Sequence, residues 1–163
     1  MDFTIRPAEP DEYARIGELT TAAYVGDGLL AADDPYVERL RDVGPRARQA
    51  RVLAAVDGEG ALLGTVAYVG EGGLFAEVAR AGEAEFRMLA VEPDARGRGV
   101  GEALVRACLA RAREQGHGGV ALSTQQTMAA AHRLYERLGF RRDASRDWSP
   151  VPGVDLLVYA LTF

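Results

Sequence analysis

The sequence predicts an α/β fold (α+β mixed): a mixed, mostly antiparallel central sheet with flanking helices, in the order β-α-α-β-β-β-α-β-α-β-β. Three observations carry this. The run 83–91, 99–115, 120–123 reads as strand, helix, strand, and a crossover helix makes its two strands parallel neighbours. Segments 51–56 and 62–69 flank the turn sequence Asp57-Gly58-Glu59-Gly60, the signature of an antiparallel hairpin. The last two strand-like segments, 140–146 and 154–162, are close enough to pair antiparallel.

Residues 3–6 read as a short strand. Pro10 and Asp11 stand near the start of a helix over 11–24, whose apolar stripe is Tyr13, Ile16, Leu19 and Ala23. Residues 25–34 are a loop, and a second short helix runs from Pro35 to about Leu40, with scope to extend past Pro45. Residues 70–82 are a connection rich in glycine and alanine that the pattern leaves unassigned. The helix over 99–115 buries Val100, Ala103, Leu104, Ala107 and Cys108, and the glycines of 116–119 end it. A helix over 127–138 ends at Gly139, and the final loop holds Trp148, Pro150, Pro152 and Gly153.

A chain of 163 residues that is 48% hydrophobic suits one domain with a sizeable core. The net charge of −5 argues against a nucleic-acid binder, which carries a basic face. No apolar run approaches the length of a membrane span. The first residues, MDFTIRPAEPDEY, have neither the basic nor the apolar stretch of a secretory signal, so the expected location is cytoplasmic. The basic residues are all arginine, and asparagine is also missing, the signature of a GC-rich and so bacterial genome. Without lysine the chain has no Schiff-base chemistry of its own. Cys108 excludes an internal disulfide, and its apolar helix position reads as a packed thiol ahead of a nucleophile. His117 and His132 have no metal-ligand company, so no metal is expected.

The chemistry concentrates in residues 85–104, EFRMLAVEPDARGRGVGEAL. A strand and a polar turn lead into Arg96-Gly97-Arg98-Gly99-Val100-Gly101, which opens directly into a helix. Free backbone N–H groups and the positive end of the helix dipole make such a turn a site for phosphate or pyrophosphate. Arg96 and Arg98 can add charge-assisted hydrogen bonds. A P-loop is excluded for want of lysine, and the glycine spacing does not fit a dinucleotide fingerprint.

These residues resemble those of the GCN5-related N-acetyltransferase (GNAT) family. Arg96, Gly99 and Gly101 match its pattern Arg/Gln-x-x-Gly-x-Gly/Ala, and Leu134, Tyr135, Gly139 and Phe140 match a second, Leu-Tyr-x-x-x-Gly-Phe. The resemblance covers essentially the whole element order. It implies that the backbone from Arg96 through Gly97, Arg98, Gly99, Val100 and Gly101 holds the pyrophosphate of acetyl-CoA. It also implies that Leu89, Ala90 and Val91 pair with the pantetheine arm, inserted like an added strand where the fourth and fifth strands splay. The side chains of Leu89 and Val91 are expected in the core. Family members often carry asparagine where this chain has Met128, with Thr127 and Ser123 as candidate polar substitutes; Met128 is retained as a cofactor contact. Arg137 reads either as a contact to the nucleotide phosphates or as part of a solvated helix face.

Acetylating an amine requires its deprotonation, polarisation of the thioester oxygen and protonation of the leaving thiolate. The resemblance makes Glu85 the base, with Glu83 behind it. Strand alternation sets Glu85, Arg87, Leu89 and Val91 on one face, and apolar neighbours would raise the Glu85 pKa. The competing readings are a structural pair with Arg87 and proton loss through ordered water. Tyr135 is the acid by resemblance, while the stripe Met128, Ala131, Leu134, Tyr135 and Leu138 also gives it a packing role. Trp148 either lines the acceptor pocket or covers the core, and Asp27, Asp33 and Asp34 either attract a cation or form a solvated acidic loop.

The implied function is transfer of an acetyl group to a primary amine, on a small molecule or a peptide, by direct attack in a ternary complex. The alternatives are a non-catalytic acyl-CoA-binding module and transfer of another acyl group. The resemblance further implies a homodimer through the final strands.

Overall fold

The computed structural model describes residues 2–26, 31–70, 77–125, 128–152 and 154–163. Its strands, β1 (Phe3–Pro7), β2 (Arg51–Asp57), β3 (Leu62–Tyr68), β4 (Glu83–Val91), β5 (Gly119–Gln125), β6 (Arg141–Arg142), β7 (Trp148–Val151) and β8 (Val154–Thr162), form an eight-stranded sheet in the order β1-β2-β3-β4-β5-β8-β6, with β7 paired to β8. The chain divides into two compact units, Met1–Tyr68 with Met88–Cys108, and Val69–Arg87 with Leu109–Phe163. Strand β4 (Glu83–Val91) and helix α4 (Val100–Glu114) each contribute residues to both.

The first unit is built on an antiparallel meander. β1 (Phe3–Pro7) pairs with β2 (Arg51–Asp57), which pairs with β3 (Leu62–Tyr68). The expected hairpin turn is there, with the Asp57 carboxylate accepting the N–H groups of Glu59 and Ala61. Helix α1 (Tyr13–Gly26) sets Ile16 against Val52, Ala54 and Val56 of β2 and against Val43. The segment past Pro35 is two helices rather than one, α2 (Tyr36–Arg41) and α3 (Val43–Gln49). Asp34 accepts the Tyr36 N–H where α2 begins. The buried Arg46 donates to the carbonyls of Arg39 and Leu40, satisfying the end that α2 leaves open.

The second unit centres on β5 (Gly119–Gln125), parallel to β4 over Glu83–Glu85 and antiparallel to β8 (Val154–Thr162) along its whole length. The parallel crossover pair is as expected. Helix α5 (Ala129–Arg137) ends in a left-handed turn, with Gly139 at φ +100. The Gly139 N–H bonds the Glu136 carbonyl and the Phe140 N–H bonds the Tyr135 carbonyl, which is a Schellman stop. That stop brings the Tyr135 and Phe140 rings to a 5.8 Å centroid separation.

The end of the chain departs from expectation. In place of a strand over 140–146, β6 covers Arg141–Arg142 alone and a 3-10 turn follows at Ala144–Arg146. The Arg142–Asp147 ion pair and the Ser145–Asp143 hydrogen bond fold the backbone back there. The expected loop at Trp148 is instead β7 (Trp148–Val151), antiparallel to β8.

Candidate active site

The turn after β4 belongs to the first unit. Pro93–Ala95 form a 3-10 turn, and Gly97 and Gly99 follow at φ +80 and +82, values that side chains disfavour. Arg96, Gly97, Arg98 and Gly99 are exposed and Val100 is buried. The Ala103 N–H returns to the Gly99 carbonyl, so the N–H groups of Val100, Gly101 and Glu102 stand in the first turn of α4, where no helical acceptor exists. The Arg98 guanidinium lies 2.8 Å from the Asp2 carboxylate and holds that carboxyl below its ordinary value.

Val91 and Arg96 line one cavity of about 520 Å³. Its apolar wall comes from Leu19 and Ala22 of α1. Arg15 of α1 is ion-paired with Glu92 at its rim. Burial alternates along β4: Ala84, Phe86, Met88 and Ala90 are buried, whereas Arg87, Leu89 and Val91 are half-buried. Leu89 and Val91 are therefore not the core residues expected; the even-numbered set points that way. Met88 has φ +59 within the strand, a left-handed conformation rare outside glycine and of the kind that collects at functional sites.

Glu85, in the second unit, is the exception to the alternation, being fully buried. Its Oε1 accepts three consecutive backbone N–H groups, from Glu77 at 2.8 Å, Val78 at 2.9 Å and Ala79 at 3.0 Å. Its Oε2 is buried without a hydrogen-bond partner. Burial raises the carboxyl above its ordinary value, against the three N–H groups and Arg87, which pull it down. The expected Glu85–Arg87 pairing is indirect: the Arg87 guanidinium lies 3.1 Å from the Glu77 carboxylate, on the segment that covers Glu85. Glu83, the second candidate base, is held by Arg146 at 2.7 Å and accepts the Arg80 N–H at 2.9 Å. Burial raises its carboxyl, and these partners outweigh burial and leave it lowered.

Tyr135 is 4% exposed. Its ring packs against Phe86 at 6.0 Å, Phe140 at 5.8 Å and Tyr159 at 6.1 Å. The packing role is thus real, while Glu85, next to Phe86 on β4, takes its hydrogen bonds from the 77–79 backbone. Met128 precedes α5, with its sulfur 3.5 Å from the Thr124 hydroxyl, and Arg137 closes the last turn of that helix. His132 is not a free surface group: its Nε2 lies 2.9 Å from the Gln125 carbonyl and its ring 5.5 Å from Tyr159. Cys108 is fully buried, and burial pushes its thiol far up, as a packed core residue requires. The Trp148 indole nitrogen is buried without a partner. Asp27 and Thr127 lie outside the described residues. Sequence reasoning missed Arg146 and the 77–79 backbone, which meet β4 only through folding.

The family model of the GNAT acetyltransferases matches residues 15–140, and the chain belongs to that family. An uncharacterized N-acetyltransferase of Schizosaccharomyces pombe is 31% identical over 122 residues, which is 75% of this chain and 69% of that protein. The N-acetylaspartate synthetase of Danio rerio is 37% identical over 70 residues, 43% of this chain; the match spans about a quarter (25%) of that relative's length. Among solved structures, an N-acetyltransferase from Thermoplasma acidophilum in complex with coenzyme A superimposes with a TM-score of 0.76 at 14% identity, covering 100% of both chains. That likeness is one of fold.

Proposed function

We propose that residues 1–163 act as one acetyltransferase domain that moves an acetyl group from acetyl-CoA to a primary amine by direct attack in a ternary complex. The observation that carries this reading is the exposed turn at the start of α4, with Gly97 and Gly99 left-handed and N–H groups without helical acceptors. The turn from Arg96 to Gly101 receives the pyrophosphate, with Arg96 and Arg98 adding charge. Leu89, Ala90 and Val91 offer their backbone to the pantetheine arm. A β4–β5 register confined to Glu83–Glu85 supports this. Met128, just before α5, and Arg137, in its last turn, contact the cofactor.

Acetyl-CoA supplies an activated acyl group. The acceptor amine, with a pKa of about 10, arrives protonated. Glu85 takes its proton, directly or through water, at Oε2, the oxygen that the 77–79 backbone leaves unengaged. Its raised pKa makes it a stronger base than an ordinary carboxylate. Tyr135 gives its phenolic proton to the departing thiolate and is held in place for this by three aromatic rings. The acceptor is a small-molecule or peptide amine. The protein works in a bacterial cytoplasm without nucleic acid, membrane or metal, as a homodimer through its final strands. Among the described residues, no helix is long and apolar enough to cross a membrane.

The test is calorimetric titration with acetyl-CoA, and separately with NAD and ATP, followed by an amine screen that reads thiol release. Selective acetyl-CoA binding with thiol release is expected; no acetyl-CoA binding overturns the reading. A binding module without turnover is the second reading, favoured by the complete burial of Glu85. Tight acetyl-CoA binding with no turnover on any amine selects it.

A further inference from the structure

Residues 77–80 are fastened to β4 at every position. Three alternate charged residues of β4 each take part: Glu83 accepts the N–H of Arg80, Glu85 accepts those of Ala79, Val78 and Glu77, and Arg87 pairs with the Glu77 carboxylate. One further residue, distant in sequence, closes the arrangement. Arg146, with a side chain only 6% exposed, reaches from the turn after β6 to both Glu83 oxygens, at 2.7 and 3.2 Å. It also donates to the Val78 carbonyl at 2.5 Å. The two ends of residue 78 are therefore gripped by opposite charges, its N–H by Glu85 and its C=O by Arg146.

We propose that Arg146 is a positioning residue of the acetyl-transfer site: it fixes the 77–79 backbone, whose three N–H groups occupy Glu85 Oε1 and leave Oε2 as the oxygen that meets the amine. This rests on the acetyltransferase reading above. An Arg guanidinium suits the task because its planar fork matches both oxygens of the Glu83 carboxylate and keeps a further N–H for the Val78 carbonyl. Without Arg146, Glu83 is a half-buried carboxylate lacking its counterion, and the Val78 carbonyl lacks its donor. The segment then loosens and Glu85 loses donors that favour its charged form. The other charged groups in the arrangement are Glu77, held by Arg87, and Arg80; Asp143 also feels the charges of Arg146 and Arg80 and is lowered chiefly by its Ser145 hydrogen bond.

The experiment uses the full-length protein carrying Arg146→Gln or Arg146→Lys. Amide exchange at Val78 and Ala79 is measured together with the Glu85 carboxyl titration, followed by NMR on carboxyl-labelled glutamate and assigned with Glu85→Gln. Arg146→Gln is expected to speed exchange at Val78 and Ala79 by about tenfold or more relative to β5 and β8. It is also expected to move the Glu85 titration to higher pH, with Arg146→Lys showing a smaller change of the same sign. Unchanged exchange at these amides in both variants overturns the proposal. So does a general loss of protection with the Glu85 titration unmoved, the mark of a merely structural residue. Neither readout needs an acceptor, and acetyl-CoA titration of the same wild-type preparation tests the acetyltransferase reading separately.

Discussion

The turn at 96–101 and the Glu85 pocket both set out hydrogen-bonding groups, in opposite ways. The turn uses backbone N–H groups, is exposed, and owes its shape to two left-handed glycines adjacent in the chain to the helix they start. The pocket uses a carboxylate, is sealed, and owes its shape to Arg146, which lies 63 residues from Glu83 and 68 from Val78. The turn is therefore sensitive to φ at Gly97 and Gly99, where side chains are disfavoured. The pocket keeps its volume under isosteric change but responds to charge.

The sharpest way to break the comparison is Glu85→Gln. The amide oxygen can still accept the 77–79 N–H groups, so the fold and acetyl-CoA affinity should hold while turnover falls by roughly 10²- to 10⁴-fold. Steady-state kinetics alongside calorimetry would check this, and full turnover would leave Glu85 as an anchor alone. Next in size, Gly99→Glu forces a side chain onto φ +82 and puts negative charge beside the proposed pyrophosphate site. We expect acetyl-CoA affinity to drop on the order of 100-fold, about 2.7 kcal/mol, and an unchanged binding isotherm would remove the turn from the cofactor site. Tyr135→Phe keeps the aromatic packing and removes the proposed acid; turnover should fall about tenfold or more at constant acetyl-CoA affinity. Equal turnover in that variant would reduce Tyr135 to its packing role.

The smallest effect concerns stability. Glu85 titrates above its reference value of 4.5 in the fold, so the native state binds the extra proton and this group's contribution declines as pH rises through its folded pKa. Glu83 is held below 4.5, so the support it gains from Arg146 is present above that pH and is lost as pH falls through its lowered folded pKa. Thermal melts of wild type and Glu85→Gln should therefore shift in favour of wild type between pH 7 and 4.5. Parallel curves would mean that Glu85 does not titrate in that window.

Legibility follows the range of the interactions. Gly97 and Gly99 are readable because a glycine turn opening a helix is a local pattern, and the Leu134 to Phe140 motif because it is a helix with its own Schellman stop. The strand expected over 140–146 fails because side chains of Arg142 and Asp147 bend a backbone whose composition permits either outcome. Apolar character alone places Leu89 and Val91 in the core, whereas the pleat of β4 assigns that side to Met88 and Ala90. The choice between base and anchor for Glu85 is not readable from its neighbours, since the groups that bond its carboxylate come from a connection without periodicity.

By itself the sequence determined the element order apart from the split second helix and the end of the chain, together with the parallel β4–β5 pair, the turn before α4 and the family these residues mark, because each follows from interactions between near neighbours or from repeating patterns. The tertiary structure alone decided that Glu85 is sealed, that one of its oxygens is consumed by the 77–79 backbone, and that Arg146 closes over that segment. Burial and charge pairing depend on which distant segments the fold brings together, and no local pattern encodes that partner.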